Sequence, residues 1–222
     1  MYKKEFYVFD DQGPKSAVIR NYHESDFDGL IRIQRESFPP PFPSELLWSK
    51  EQLQSHIRLF QEGALCIEVD GVLAGSLTSL LVDYDEKGPD HTWDDMTDRG
   101  YIGSHVSEGR TLYVVDIGVR PQYRKAGLGS WLMFSAYELV VHKKLDRLLG
   151  GGRMPGYYKK SDELKPEEYL EGVVNGELKD PVLTFLLRCG RTPLKVMGNY
   201  LEDEESCHYA ALMEWKNPFA GK

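Results

Sequence analysis

The sequence predicts an α+β fold in which β-hairpins and buried strands alternate with amphipathic helices. A hairpin is indicated at residues 64–84, where Asp70-Gly71 is a turn pair between two apolar runs. Residues 111–119 (TLYVVDIGV) are almost continuously apolar, which is typical of a strand buried on both faces. Apolar side chains over residues 128–140 recur at spacings of three and four, and so form one stripe of a helix.

Eight strands are predicted from apolar runs and from the turn residues between them. The turn sequence DDQGP separates residues 3–9 from residues 15–20, which indicates a hairpin and makes residues 1–14 an N-terminal strand extension. The predicted strands are residues 3–9, 15–20, 64–70, 72–84, 111–119, 146–152, 192–200 and 208–215.

Five helices are predicted from capping residues, prolines and glycines. Ser25 and Ser49 each begin a sequence typical of a capping box, in which side chains satisfy the first N–H groups of a helix. Three consecutive prolines at residues 39–41 end the first helix, because proline cannot continue the hydrogen-bond ladder. The predicted helices begin at Ser25, Ser49, Leu128, Pro166 and Asp180.

The composition excludes several classes of protein. The net charge of −8 and the pI near 5.3 disfavour nucleic acids and anionic membranes as partners, since both attract a basic surface. The sequence has no apolar stretch long enough to span a membrane and no apolar leader at its start. The three cysteines lack metal-binding or disulfide spacing, so we expect a cytoplasmic protein in a reducing environment.

Residues 83–110 form an acidic segment without periodicity, which we treat as a loop insertion. It holds eight acidic and three basic side chains. One interpretation is a solvated, mobile surface, and the other is a lid that attracts a cationic substrate. The spacing of its histidines and aspartates matches no standard metal site, so we predict no metal.

The segment between the strand at 111–119 and the following helix predicts an anion-binding cradle. Gly127 and Gly129 allow the backbone to approach a ligand closely, and the start of a helix favours negative charge. Arg124 and Lys125 add two cationic side chains. The pattern is neither a Walker A loop nor GxGxxG, and its context indicates a seat for phosphate or pyrophosphate.

The sequence IGVRPQYRKAGLG at residues 117–129 resembles the signature of the GNAT superfamily of N-acetyltransferases, [QR]xxGx[GA] after a strand. The opening strand and helix and the hairpin at 67–77 are also similar to that family. The region from residue 150 to residue 187 resembles a subgroup found joined to carbon–nitrogen hydrolase domains. We expect no hydrolase here, and we expect residues 1–222 to be a single GNAT domain.

The resemblance implies a mixed, mostly antiparallel sheet, flanked by helices, that splays open between its fourth and fifth strands. Acetyl-CoA would lie in the wedge, with its pantetheine arm paired to the backbone of Ile117 and Val119 and its pyrophosphate held by the cradle. The implied cofactor-binding residues are Ile117, Gly118, Val119, Arg124, Lys125, Ala126, Gly127, Leu128, Gly129 and Ser130.

The activity implied is transfer of an acetyl group from acetyl-CoA to a primary amine of a small molecule or peptide, by direct attack in a ternary complex. The acidic segment suggests a cationic amine. Acceptor pockets of the family are built from variable loops, which correspond here to residues 39–50, 83–110 and 153–164. A homodimer paired through edge strands at residues 192–215 is a further expectation from the resemblance.

The general base is open among three carboxylate or imidazole side chains. Asp116 lies on the strand that would hold the cofactor, and Glu68 and His105 are the other candidates. We take Asp116 as the predicted base. A structural carboxylate is the competing interpretation of this residue.

The general acid is equally open, because the family's late-helix tyrosine is absent. Leu186 stands at its place, and Arg191 replaces the aromatic residue that follows in the family pattern. Tyr157, Tyr158 and Cys189 are the possible substitutes, and we take Tyr158 as the predicted acid. The missing tyrosine favours the alternative function, a non-catalytic acyl-CoA-binding sensor or regulatory module.

Overall fold

A single eight-stranded sheet forms the centre of the molecule. The computed structural model describes residues 2–221, with the backbone but not the side chain of Lys125. The sheet order is β1-β2-β3-β4-β5-β6-β8-β7. The strands are β1 (Lys3–Asp10), β2 (Gly13–Asn21), β3 (Ala64–Val69), β4 (Val72–Val82), β5 (Thr111–Val119), β6 (Arg147–Arg153), β7 (Thr192–Met197) and β8 (Ala210–Lys216).

Six α-helices flank the sheet within the described part of the chain. They are α1 (Phe27–Ser37), α2 (Lys50–Phe60), α3 (Trp93–Thr97), α4 (Leu128–His142), α5 (Pro166–Val174) and α6 (Leu183–Arg188). Helices α1 and α4 both pack on β4 and β5 and bury their apolar stripes there. No helix in residues 2–221 has the length and apolar character needed to cross a bilayer.

Strands β5 and β6 are the parallel pair of this otherwise antiparallel sheet, and they pair only briefly. Their register covers Thr111–Tyr113 against Arg147–Leu149, after which the two strands diverge. When the N-terminal extension strand β1 is left out of the count, β5 and β6 are the fourth and fifth strands, between which the family fold is predicted to splay. The prediction of an α+β fold with a mixed, mostly antiparallel, splayed sheet is therefore confirmed.

A β-bulge lies in β5 where the splay begins. Thr78 of β4 is opposite Asp116 and Ser79 is opposite Val114, so Val115 is the extra residue. A bulge bends its strand and changes the direction of neighbouring side chains. Asp116 therefore lies next to a break in the regular ladder rather than within it.

The glycines at residues 150–152 keep β6 free of side chains where other groups approach it. A Cβ on the first would lie 3.2 Å from Nη2 of Arg191, and a Cβ on the second would overlap the ring of Tyr200. A Cβ on the third would lie 2.7 Å from Cδ1 of Leu186. The glycine tract thus allows three side chains from later in the chain to pack directly on this strand.

The first predicted capping box is wrong in its residues. The backbone N–H of His23 donates to Oδ2 of Asp26 at 2.8 Å, so the box surrounds a 3₁₀ turn and begins two residues before the predicted one. Asp26 also forms an ion pair with Arg20, at 2.7 Å. The carboxylate of Asp26 thus accepts both from the N–H of His23 and from Arg20.

Side-chain contacts confirm the predicted helix start at Ser49 and support the one at Asp180, just ahead of α6. The N–H of Gln52 donates to Oγ of Ser49 at 3.2 Å, which completes the second capping box. The carboxylate of Asp180 accepts from the N–H groups of Val182 and Leu183, each at 2.9 Å. These contacts satisfy donors that have no partner within the helix.

The acidic segment at residues 83–110 is packed against α2 rather than left as a solvated surface. It contains α3, and its Ile102 is fully buried. Three side chains of α2 donate to successive carbonyls of residues 99–101: Gln52 at 2.9 Å, His56 at 2.6 Å and Ser55 at 2.8 Å. These hydrogen bonds hold the segment at a fixed place beside the sheet.

The buried ion pair between Arg120 and Glu36 joins the end of β5 to α1. Nε of Arg120 lies 2.7 Å from Oε2 of Glu36, and Arg120 also donates to the carbonyl of Leu73. Arg120, with help from Arg32, lowers the pKa of Glu36 to about 2. The carboxylate form of Glu36 is therefore the form that stabilises the fold.

We expect Glu36→Gln to lower the thermal midpoint at pH 7, because it leaves the buried Arg120 guanidinium without its carboxylate. A depressed carboxyl pKa adds stability above the ordinary value of 4.5, and that stability is lost as the pH falls towards about 2. The difference between wild type and variant should therefore shrink over that interval. Thermal melts from pH 2.5 to pH 7 measure it, and equal midpoints at pH 7 would contradict the assignment.

Candidate active site

A cleft of about 640 Å³ opens where β5 and β6 diverge. Its closed end lies between Val114 and Gly150, just beyond the last paired residues of the two strands. One wall is β5, the other is the glycine tract of β6, and α1, α4 and α6 contribute to the rim. The lining includes Gln34, Ser37, Phe38, Phe42, Trp48, Trp93, residues 114–119, Arg124, Gly127, Gly129, Ser130, residues 150–153, Phe185, Leu186, Arg191, Tyr200 and Glu205.

The predicted anion cradle forms one end of the cleft. Gly127 has φ +70° and links the turn after β5 to the start of α4. This left-handed conformation favours glycine, and a Cβ here would meet no atom within 4 Å. A Cβ on Gly129 would lie 3.2 Å from the ring of Phe185. Gly127 therefore permits the turn, and Gly129 permits α4 to approach α6.

The predicted cofactor-binding residues are mostly brought together. Seven of them line the cleft: Ile117, Gly118, Val119, Arg124, Gly127, Gly129 and Ser130. The side chain of Leu128 is fully buried, and that of Ala126 packs against the core, so each could contribute only its backbone. The side chain of Lys125 lies outside the described part of the molecule.

Arg124 makes two backbone contacts that its charge alone does not predict. Its Nε donates to the carbonyl of Val119 at 3.0 Å, and its Nη2 donates to the carbonyl of Ser37 at 3.1 Å. The side chain therefore braces the end of β5 against α1. The guanidinium of Arg124 lies at the rim of the cleft, near the cradle.

Asp116 lies in the wall of the cleft beside the bulge. Nε2 of Gln34 donates to Oδ2 of Asp116 at 2.7 Å. Burial raises the pKa of Asp116 to about 7, and the hydrogen bond from Gln34 opposes that rise. A carboxyl group with this pKa exchanges protons near neutral pH, as a general base must.

The other two base candidates lie elsewhere. Glu68 accepts from Nε of Arg20 at 3.0 Å on β3. Nδ1 of His105 accepts from the N–H of Leu81 at 3.1 Å, and its ring stacks on Phe60. Neither side chain lines the cleft. Of the three candidates, the structure brings Asp116 to the cleft.

The acid predicted at Tyr158 is not brought to the cleft. Tyr158 is 47% exposed and lines a separate depression with Lys159 and Lys160, because its loop turns away from β5. Tyr157 donates to the carbonyl of Leu164 at 3.0 Å, and Cys189 does not line the cleft. The structure therefore does not support the assignment of Tyr158.

A buried chain of hydroxyl groups meets the cleft where sequence reasoning did not place one. Tyr200 lines the cleft, and its hydroxyl lies 2.9 Å from that of Tyr113. Nε2 of His91, from the acidic segment, lies 3.0 Å from the Tyr113 hydroxyl. Burial raises the pKa of Tyr200 to about 12, so the group stays protonated.

Four aromatic side chains form part of the cleft lining. The rings of Trp48 and Trp93 are stacked with centroids 6.0 Å apart, and Nε1 of Trp93 donates to the bulge carbonyl of Val115 at 3.1 Å. The rings of Phe38 and Phe42 lie 5.0 Å apart. Two of the predicted acceptor loops, residues 39–50 and 83–110, thus supply this region.

Unpartnered polar atoms are concentrated in the cleft. Among the described residues, four buried side-chain polar atoms have no hydrogen-bond partner in the protein. Three of these residues line the cleft: Ser37, Trp48 and Arg191. Buried polar groups are nearly always hydrogen-bonded, so these three atoms are exceptions that lie behind the wall of the cleft. No group of three or more potential metal ligands occurs in the described part of the chain.

Comparison with known proteins agrees with this geometry. The profile of the acetyltransferase (GNAT) family matches residues 27–152. The chain is 55% identical over 219 residues to the uncharacterized N-acetyltransferase YkwB of Bacillus subtilis (strain 168), covering 99% of this chain and 97% of YkwB. It is 40% identical over 204 residues to the probable hydrolase YhcX of that organism, covering 91% of this chain but 39% of YhcX.

The fold also resembles solved structures. One is the GphF GNAT-like decarboxylase in complex with isobutyryl-CoA, with a TM-score of 0.75 and 21% identity. The match covers 90% of this chain and 98% of that one, and at this identity it establishes the fold alone. The family profile covers more than half of the chain and the identity to YkwB is high, so the chain belongs to the GNAT acetyltransferase family.

Proposed function

We propose that the protein transfers an acyl group, in the simplest case acetyl, from acyl-CoA to the primary amine of a small molecule or peptide. The observation that carries the proposal is the position of Asp116, a carboxyl with a pKa of about 7, in a cleft that ends at the glycine cradle. The family membership supports the acyl transfer, and the structure of a relative with bound isobutyryl-CoA supports a CoA thioester as donor.

The open edge of β5 suits the pantetheine arm. Beyond Tyr113 that strand pairs with β4 on one side only, so the peptide groups of residues 114–119 on the other side face the cleft. An extended chain with amide groups can pair with such an edge as an additional strand would. The pyrophosphate would then lie at the start of α4, where Gly127 and Gly129 expose helix N–H groups.

The proposed reaction requires few groups of the protein. The amine nitrogen attacks the thioester carbonyl carbon, the C–N bond forms, the C–S bond breaks, and the thiolate leaves. Asp116 takes the proton from the amine, and Gln34 holds the carboxylate in place. A thiol has an ordinary pKa of about 8.5, so the thiolate leaves without a strong acid. This agrees with the position of Tyr158 outside the cleft.

The acceptor would enter beside the aromatic lining. Phe38, Phe42 and Trp48 offer apolar surface there, and Glu205 at the rim pairs with Arg153, whose guanidinium carbon lies 4.7 Å from the centre of the Phe42 ring. A cationic amine would therefore compete with Arg153 for both the ring and the carboxylate. The alternative function, an acyl-CoA sensor without catalysis, is favoured by the buried Leu186 at the place of the family's tyrosine. Release of free CoA on mixing with amines separates the two functions.

We expect acetyl-CoA to raise the thermal midpoint of the wild type and of Gly127→Ala, but not of Gly127→Glu. Both substitutions carry the strain of a positive φ, and only the glutamate adds a negative charge and bulk to the cradle. At 100-fold its dissociation constant a ligand adds about 2.7 kcal/mol. In a domain of this size the midpoint should rise by roughly 5–10 °C. No rise in the wild type at millimolar acetyl-CoA would refute the donor assignment.

We expect kcat/KM for amine acylation to rise with pH through about 7, as Asp116 loses its proton. Gln34→Leu should move this inflection to higher pH, because the carboxylate loses the hydrogen bond that stabilises it. Asp116→Asn should remove the inflection and lower the rate by roughly 10²–10⁴-fold.

The pH profile needs acceptors of different basicity as its control. An inflection that belongs to Asp116 stays at one pH when the acceptor changes, whereas one that belongs to the amine moves with the acceptor. An inflection that follows the amine in every case, and does not respond to Gln34→Leu, would exclude Asp116 as the base.

A further inference from the structure

Arg191 is a buried arginine at the closed end of the cleft. It is 3% exposed, follows α6, and lines the cleft together with Gly150 and Tyr200. Its Nη2 donates to the carbonyl of Gly150 at 3.2 Å and to the carbonyl of Met213. Its Nε has no hydrogen-bond partner in the described protein. One edge of the guanidinium is thus fixed by backbone, and a buried donor is left over.

The charge of Arg191 has no carboxylate partner among the described ion pairs. Arg120 shows the usual arrangement, since it is equally buried and pairs with Glu36 at 2.7 Å. The ionisable groups that act on Arg191 are instead the hydroxyls of Tyr113, Tyr137 and Tyr200 and the thiol of Cys189. Burial raises the pKa of each, so all are neutral at pH 7. A buried cation without an anion is unfavourable unless a ligand supplies one.

The position of Arg191 indicates which part of the ligand would supply the anion. A Cβ on Gly150 would lie 3.0 Å from the carbonyl of Val114 and 3.2 Å from Nη2 of Arg191, so the guanidinium lies at the level of Val114. Val114 and Asp116 are separated by the bulged residue Val115, so the distance between them along the strand is at most about 7 Å. The cradle lies beyond the other end of β5. Along the bound thioester, the reacting carbonyl would therefore lie between the pyrophosphate and Arg191. The part of the ligand that reaches Arg191 is the acyl chain.

We infer that Arg191 binds a carboxylate at the end of the acyl chain, so that the preferred donors are short dicarboxylyl-CoA thioesters of the malonyl class. The inference rests on the proposed function and specifies its donor. A separation of at most about 7 Å has room for no more than one methylene group, a carboxylate and a hydrogen bond beyond the reacting carbonyl. Tyr200 offers a hydroxyl at the same end of the cleft. The acyl transfer is unchanged, and its product is an amide that retains a free carboxylate.

Calorimetric titration of the full chain with three CoA thioesters tests the inference. Malonyl-CoA carries the carboxylate, isovaleryl-CoA replaces that carboxylate with an isopropyl group of the same shape, and acetyl-CoA lacks both. We expect malonyl-CoA to bind about 10- to 100-fold more tightly than isovaleryl-CoA, as a charge-assisted hydrogen bond provides. Equal or weaker binding of malonyl-CoA to the wild type would overturn the inference.

Two substitutions identify the residue responsible. Arg191→Gln keeps an N–H₂ donor for the carbonyls of Gly150 and Met213 but removes the charge, and Arg191→Lys keeps the charge but loses the planar fork. The ratio of malonyl-CoA to isovaleryl-CoA affinity should fall to about 1 in Arg191→Gln and recover in part in Arg191→Lys. A general loss of folded protein lowers both affinities and leaves the ratio unchanged, so an unchanged ratio in Arg191→Gln contradicts the inference.

The same titrations separate this inference from the proposed function. If none of the three thioesters binds the wild type, the proposed function fails together with the inference. If acetyl-CoA and isovaleryl-CoA bind and malonyl-CoA has no advantage, the donor assignment stands and only the role of Arg191 is refuted.

Discussion

The short parallel pairing of β5 with β6 is the constraint on which the rest of the site depends. Three residues of each strand form the ladder, and beyond them the edge of β5 faces a cavity instead of a neighbour. Unpaired peptide groups inside a protein are unfavourable, so this edge is stable only where solvent or a ligand can satisfy it. An extended ligand with amides fits that requirement, and the ligand site follows from how the sheet is built.

Side chains that line the cleft pack directly on β6 where it diverges from β5. Arg191, Tyr200 and Leu186 each occupy the space of a Cβ that the glycines at 150–152 lack. These three residues come from the C-terminal third of the chain, so the closed end of the cleft is built by long-range contacts. On the other wall, the bulge at Val115 brings Asp116 beside Gln34 of α1. The cradle itself is local, because strand, turn and helix follow one another in sequence.

This difference between local and long-range contacts explains what the sequence could predict. The cradle, the hairpins and most helix starts were accessible because their signals lie within a few residues of one another. Asp116 was accessible because it lies on the same strand as the cradle. Gln34, Tyr200 and Arg191 meet the site from three separate segments, and no local pattern links them. Tyr158 does not line the cleft, and a tyrosine in a loop carries no local signal for the direction in which its ring points.

Asp116 and Arg191, two ionisable groups of the cleft, indicate what this arrangement is suited to do. A carboxyl whose pKa is raised to about 7 by burial lowers the stability of the folded state as the pH rises from 3.8, because the unfolded chain ionises more readily. A buried guanidinium without a carboxylate partner also lowers the stability of the folded state, and it does so at any physiological pH. Two groups in one cavity therefore lower the stability of the fold. A protein that only enclosed CoA would gain stability from a neutral group at either position. The presence of both is understandable if one group takes a proton and the other holds an anion that arrives with the substrate.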